Sequence, residues 1–138
     1  NIHVSPEGNI NNYGWPISSY GEHYSFELGK TEENKAKYEK APLHKSHKKY
    51  GFVEPLKYFT PSIAPSEIIR LNNNKYVLSS LKGKQLFIFN LNNNNKLINL
   101  ESFEIGERIR DLAYGNNLIF LFLENTGTIG IIKDNVIN

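Results

Sequence analysis

From residue 52 onward the chain alternates short apolar, β-branched and aromatic runs with clusters of Asn, Gly and Lys. The runs EPLKYF, SEIIRL, KYVLSSL, KQLFIFNL, KLINLESFEI, RIRDLAY, LIFLFLE and TIGIIK predict strands, and NNN, KGK, NNNN, GNN and NTG predict the turns between them. The spacing predicts an all-β architecture. QLFIFNL shows the alternation of a half-buried strand, whereas LIFLFL is apolar on both faces and is expected inside a stack of sheets.

The strands also repeat. SEIIRL, KYVLSSL and QLFIF recur in type and order as RIRDLAY, LIFLFLE and TIGII, at a shift of roughly 40 to 43 residues, the period of one four-stranded propeller blade. A blade cannot bury both faces alone, so the pattern predicts apolar flanks covered by further chain or by further copies. A small sandwich or barrel with coincidental spacing is the alternative.

Residues 1–29 read differently. Asn, Gly and Pro dominate, with Pro6, Gly8, Gly14 and Pro16 punctuating short segments, so loops with one or two short strands are expected. TEENKAKYEKA then predicts a helix: Thr31 suits the N-cap, Glu32 and Glu33 its positive end, and Glu33 can pair with Lys37, until Pro42 stops it. HKSHKKYG follows as a basic, solvated loop. The chain therefore reads as one unit of 138 residues: 1–29 of loop and short strands, 30–50 a basic insertion, and 51–138 the blade-forming strands.

Composition narrows the functional classes. Hydrophobic residues make up 39% and aromatics 12%, enough for one core, and 22% of residues are charged. A net charge of +2 is too small to signal a polyanion partner, and the Lys-rich 30–50 stretch is diluted by Glu, so nucleic acid is not expected. With no cysteine there is no disulfide, thiolate metal site or cysteine nucleophile. His44 and His47 lack the two further ligands that zinc would need. No run is long and apolar enough for a membrane span, and no signal-peptide pattern opens the chain. The chain contains no Met, so Asn1 reads as a processing point or an artificial boundary, with polypeptide expected upstream.

Three stretches carry a family likeness: NNYGWPISSYG at 11–21, EPLKYFTPSIAPSE at 54–67 and GERIRDLAYG at 106–115. Together they resemble the glucose/sorbosone dehydrogenase family, soluble quinoprotein aldose sugar dehydrogenases that bind pyrroloquinoline quinone on a six-bladed β-propeller. The order and separation of the stretches resemble that family's C-terminal part, over nearly the whole chain except the 22–50 insertion. The implied fold is all-β, a partial six-bladed propeller of about two to three four-stranded antiparallel blades, with a short helix or loop insertion near 31–50. Glu67 departs from the pattern, since the family usually continues PSIAPS with Gly.

The resemblance also implies a site. Lys82, Arg108 and Arg110 align with the family's cofactor-binding cations, and Arg110 is the candidate for polarising the quinone. The chemistry is apt, because a tricarboxylate quinone needs fixed cations and a guanidinium fork grips carboxylate at two points. Arg108 and Arg110 lie two apart on an expected strand, so their side chains leave one face. Read from the residues alone, the same three are a solvated charge pair and a turn lysine. Asp111, beside two cations, is expected to pair or to cap a turn. Ser62 and Ser66 in SIAPS, with Tyr13 and Trp15, are candidates for the cleft rim, though a lone Trp in a small β protein is more often core. Tyr20 is ambiguous in the same way.

The family's general-base histidine lies upstream of the NYGWP segment, and His3, His23, His44 and His47 match no such motif. No catalytic base is therefore expected here. The resemblance implies calcium beside the quinone, with no assignable ligands, an aldose sugar as substrate, and a periplasmic or secreted setting. The leading expectation is a C-terminal portion of a sugar dehydrogenase that supplies cationic cofactor contacts and does not oxidise sugar alone. Two others stay open: a non-catalytic carbohydrate- or ligand-binding propeller assembled from several copies, and an inert remnant with both arginines in solvent-facing salt bridges.

Overall fold

The computed structural model describes residues 11–22, 31–71 and 74–137, and divides the chain into two compact units, Asn1–Ser62 and Ile63–Asn138. His3, His23 and the short strands expected within 1–10 and 23–29 lie outside the described residues.

In the second unit seven of the eight expected strands form. β1 (Pro65–Arg70), β2 (Lys75–Ser80), β3 (Gln85–Leu91) and β4 (Leu97–Glu104) make an antiparallel sheet in chain order, and β5 (Ile109–Gly115), β6 (Leu118–Leu123) and β7 (Thr128–Lys133) make a second one. The repeat is structural. A shift of 43 residues carries the left-handed turn residues Asn74 onto Asn117 and Lys84 onto Gly127, with φ of 57°, 59°, 54° and 66°. Both first strands are bulged near their starts, between Pro65 and Ile68 in β1 and between Ile109 and Asp111 in β5. Such bulges put one extra residue into a strand and re-aim its end, which here is the end carrying the SIAPS and RIRD motifs.

The two sheets face each other. Leu71, Val77, Leu86 and Ile88 of the first meet Ile109, Leu112, Ile119 and Leu121 of the second, all nearly inaccessible to water. Side chains alternate across a strand, so each sheet keeps a second face. LIFLFL thus differs from its expected burial on both sides: Ile119 and Leu121 are buried, while Phe122 on the opposite face is exposed.

The first unit holds the helix where it was expected. α1 spans Glu32–Lys40; Thr31 Oγ1 accepts the Asn34 N–H at 3.1 Å, and Lys37 pairs with Glu33 at 2.6 Å. Its cap at Ala41 directly precedes Pro42. No helix among the described residues is long and apolar enough to cross a membrane.

Two expectations for this unit are corrected. EPLKYF forms no strand, because its side chains serve a local cluster: Glu54 accepts from the Tyr20 hydroxyl and from the Lys48 N–H, and Tyr58 stacks on Tyr20 with ring centroids 3.9 Å apart. The basic loop is anchored rather than solvated throughout, since His47 is 1% exposed and its Nδ1 donates to the Tyr13 carbonyl at 3.0 Å. Because a carbonyl can only accept, this bond places the imidazole proton on Nδ1. The Glu54 bond pushes the Tyr20 phenol up to about 12, and the same bond, with the Lys48 N–H, holds the Glu54 carboxyl below its ordinary range. The stability Glu54 contributes is therefore present above about pH 4.3, the ordinary glutamate value, and is lost as pH falls through its lowered one.

Candidate functional site

The motif-bearing residues of the second unit gather at one end of the two sheets. The loop before β1 is clasped by the β2–β3 turn: Leu81 N–H donates to the Ala64 carbonyl at 2.8 Å, and Lys82 and Gly83 N–H both donate to the Ile63 carbonyl at 3.0 Å. Gly83 is required there, since a Cβ would lie 2.7 Å from Ser80 Oγ and 3.2 Å from Ile63 Cβ. The clasp fixes the backbone of Lys82 and leaves its side chain at the surface. The second sheet repeats the arrangement, with Glu124 N–H donating to the Arg108 carbonyl at 2.9 Å. SIAPS and RIRD are thus two copies of one feature, the entry to a bulged first strand.

One hydroxyl joins the copies. Ser66 Oγ donates to the Ile109 carbonyl at 2.6 Å and lies 2.8 Å from Ser79 Oγ, which is itself fully buried. Ser66, the rim candidate, uses its hydroxyl to tie β1 to the residue between the two arginines. Glu67, the departure from the family pattern, lies in the β1 bulge with its N–H donating to Ser79 Oγ at 3.2 Å. Ser66→Ala would leave the Ile109 carbonyl without this donor, and we expect a loss of about 1–3 kcal/mol in unfolding free energy by denaturant titration.

Arg108 and Arg110 do reach the same side, and what they meet there is Glu124. Arg108 Nε lies 3.0 Å and Arg110 Nη2 2.6 Å from the same Glu124 oxygen. The Arg108 hydrogen bond chiefly, with the charge of Arg110, holds the Glu124 carboxyl below its ordinary range, so it is ionised at neutral pH. All three side chains are substantially exposed, at 40%, 58% and 34%. This is a carboxylate held by two guanidinium groups at an open edge. Asp111 takes no part in it; its Oδ1 accepts the Leu112 N–H at 2.8 Å.

Glu124 escaped the sequence reading. The signal available was its position, the first acid after the apolar run LIFLFL, which the pairing of Ile109 with Leu123 brings beside the arginines.

The rim candidates of the first unit are arranged separately. Trp15 is 74% exposed, which corrects its expected packing role, and with Asn11, Asn12, Tyr13 and Gly14 it lines an open hollow of about 420 Å³. Gly14 makes the turn, with φ of +89° and its carbonyl accepting from Ile17 and Ser18; a Cβ there would sit 2.8 Å from the Phe52 ring. Ser62 is exposed at the end of this unit. Tyr20 is engaged with Glu54, Tyr58 and His47 as described. Among the described residues no group of three or more His, Asp or Glu side chains is placed to hold a metal ion.

Known proteins resemble this chain across most of its length. The family described as Glucose / Sorbosone dehydrogenase matches residues 5–133. An uncharacterized protein of Synechocystis sp. is 28% identical over 111 residues, 75% of this chain and 24% of its own length. A crystal structure of a glucose dehydrogenase superposes with a TM-score of 0.61 at 23% identity, over 88% of this chain and 34% of its own. The apo-form of the soluble aldose sugar dehydrogenase of Escherichia coli gives 0.61 at 20%, over 89% and 35%. The chain spans about a quarter of that relative and about a third of those structures. Two facing antiparallel sheets related by a blade-length repeat fit part of such a fold. With the family pattern running from residue 5 to residue 133, the chain belongs to the glucose/sorbosone dehydrogenase family.

Proposed function

We propose that this chain is the portion of a sugar dehydrogenase that binds the acidic edge of a pyrroloquinoline quinone cofactor through Arg108, Arg110 and Lys82. The observation that carries the reading is the Glu124 carboxylate held by both guanidinium groups at an open edge. The donor set fits a cofactor bearing three carboxylates: two planar cations converge on one oxygen, and Lys82 lies at the same end of the adjoining sheet with its head in solvent.

When bound, the quinone supplies the electron-accepting centre for oxidation of an aldose. The chain's own residues then have three tasks. Arg108 and Arg110 exchange Glu124 for a ligand carboxylate, Lys82 adds a compact positive charge, and Arg110, the more exposed arginine, is the donor available to a carbonyl oxygen on which charge develops. The base that takes the sugar hydroxyl proton comes from polypeptide outside these residues, as does the rest of the substrate pocket. Calcium and a periplasmic or secreted setting belong to the same reading, supported by family likeness alone. Within the first unit taken by itself, the open hollow beside Trp15 is a candidate sugar contact, since an exposed aromatic face packs on the apolar face of a pyranose while amides meet its hydroxyls.

Glu124 makes the proposal testable by a gain rather than a loss. Glu124→Gln removes the internal competitor and keeps the side-chain shape, so titration of the quinone into the purified chain, followed by its absorbance, should give about two- to fivefold tighter binding, the equivalent of an exposed ion pair. Unchanged or weaker binding to the variant, or no binding to the parent, would overturn the assignment.

A further inference from the structure

We propose that the stacked pair Tyr20 and Tyr58 is an oxidative modification site, where a one-electron oxidant of the ferryl-haem type joins the two rings through the carbons ortho to their hydroxyls. The inference rests on the first unit alone and stands whether or not the cations of the second unit bind a quinone.

Composition directs oxidation to such a pair. Sulfur side chains are ordinarily the first to be oxidised, and this chain has neither cysteine nor methionine. Its aromatic side chains, one Trp and eight Tyr among them, are what remain. A phenol gives up an electron most readily when a base takes its proton in the same step, and Tyr20 has that base in place, because its hydroxyl donates to Glu54 Oε1. The other Glu54 oxygen accepts the Lys48 N–H at 2.8 Å, which holds the carboxylate against the phenol. The Tyr20 bond first, and then the Lys48 N–H, keep the Glu54 carboxyl below its ordinary range, so it is ionised at neutral pH and free to accept the proton.

The second phenol is already in place. The Tyr58 ring lies on Tyr20 with centroids 3.9 Å apart and planes 9° from parallel. Stacking of this kind shares the missing electron between both rings and holds the reacting carbons near contact distance, so coupling needs no search. Tyr58 is 46% exposed and Tyr20 half-buried, which admits an oxidant and leaves the joined rings room to turn. His44 on Tyr50 and Tyr76 on Phe89 are also stacked, but each of these pairs offers a single phenol.

Two electrons leave in all, one from each ring, and reduce the oxidant. The Tyr20 proton passes to Glu54 and the Tyr58 proton to water, giving two phenoxyl radicals whose ortho carbons form one carbon–carbon bond. Each bonded carbon then returns its hydrogen through water to the oxygen of its own ring, and the product is a dityrosine lighter by two hydrogen atoms. It would staple the chain across residues 21–57, which include α1, and restrict the unfolded state as a disulfide does in chains that have cysteine.

Treating the purified chain at low micromolar concentration with a haem peroxidase and hydrogen peroxide should give dityrosine fluorescence in a species that stays monomeric on a denaturing gel. Mass spectrometry should find the peptides of Tyr20 and Tyr58 joined. Tyr58→Phe, which keeps the stacked ring, should lower the yield at least about tenfold, and Glu54→Gln, which removes the base, should slow the reaction by about tenfold or more. Tyr114→Phe should change neither, although Tyr114 also donates to a carboxylate, that of Asp134 at 2.7 Å. Crosslinks between separate chains, crosslinks spread evenly over other tyrosines, or oxidation confined to the exposed Trp15 would overturn the proposal, as would an undiminished rate in Glu54→Gln.

Discussion

Arg110→Ala should weaken quinone binding by roughly tenfold or more, because a charge-assisted hydrogen bond contributes about 1.5–3 kcal/mol and the exposure of this side chain brings the effect toward the lower figure. Fluorescence or absorbance titration of parent and variant measures it. The double change Arg108→Ala with Arg110→Ala should abolish detectable binding, since it removes both donors that converge on one carboxylate oxygen. Neither residue is in the core, so the variants should keep the parent's unfolding midpoint to within the scatter of surface substitutions. A variant that kept full affinity would return the arginines to the remnant reading, in which their only role is to hold Glu124. Glu124→Gln moves affinity the opposite way, and that opposition of sign separates ligand contact from general damage.

Leu121→Ala should be the most damaging single change to stability, at about 2–5 kcal/mol by denaturant unfolding. Leu121 is 2% exposed between the sheets, in one buried cluster with Ile109, Leu112 and Ile119, so its truncation leaves a cavity in the core. Domains are typically stable by only about 5–15 kcal/mol, so much of the folded population is at stake. Its strand neighbour provides the control: Phe122 faces the other way at 38% exposure, and Phe122→Ala should cost far less in the isolated chain. Equal losses at the two positions would mean that the outer face is covered as fully as the inner one.

The strands of the second unit were legible because their signal is local. Periodicity, β-branched content and Asn-rich turns lie within each run, and the left-handed Asn74 and Asn117 show why Asn marks those turns. EPLKYF carries the same composition and failed, because Glu54 and Tyr58 are committed to Tyr20, thirty-odd residues away, which no window over 54–59 contains. Trp15 misled in a related way. Its residue type favours burial, but the Gly14 turn directs it outward. That Arg108 and Arg110 share a side was legible from their spacing, whereas Glu124 needed the β5–β6 register and the bond of Ser66 needed the sheet-to-sheet contact. Partners supplied by a neighbouring strand leave little trace in local sequence.

The Ser66 hydrogen bond to Ile109 has a consequence for selectivity. Lys82 rides on the first sheet and the arginines on the second, so the span between their charges is set by how the sheets are registered, and only then by side-chain reach. Under the proposed quinone reading, that span would act as a ruler. A diacid or triacid whose carboxylates match it would engage both sheets at once, and a shorter one would have to choose between them, so a shift in packing deep between the sheets would recalibrate which anions are accepted without altering any cation.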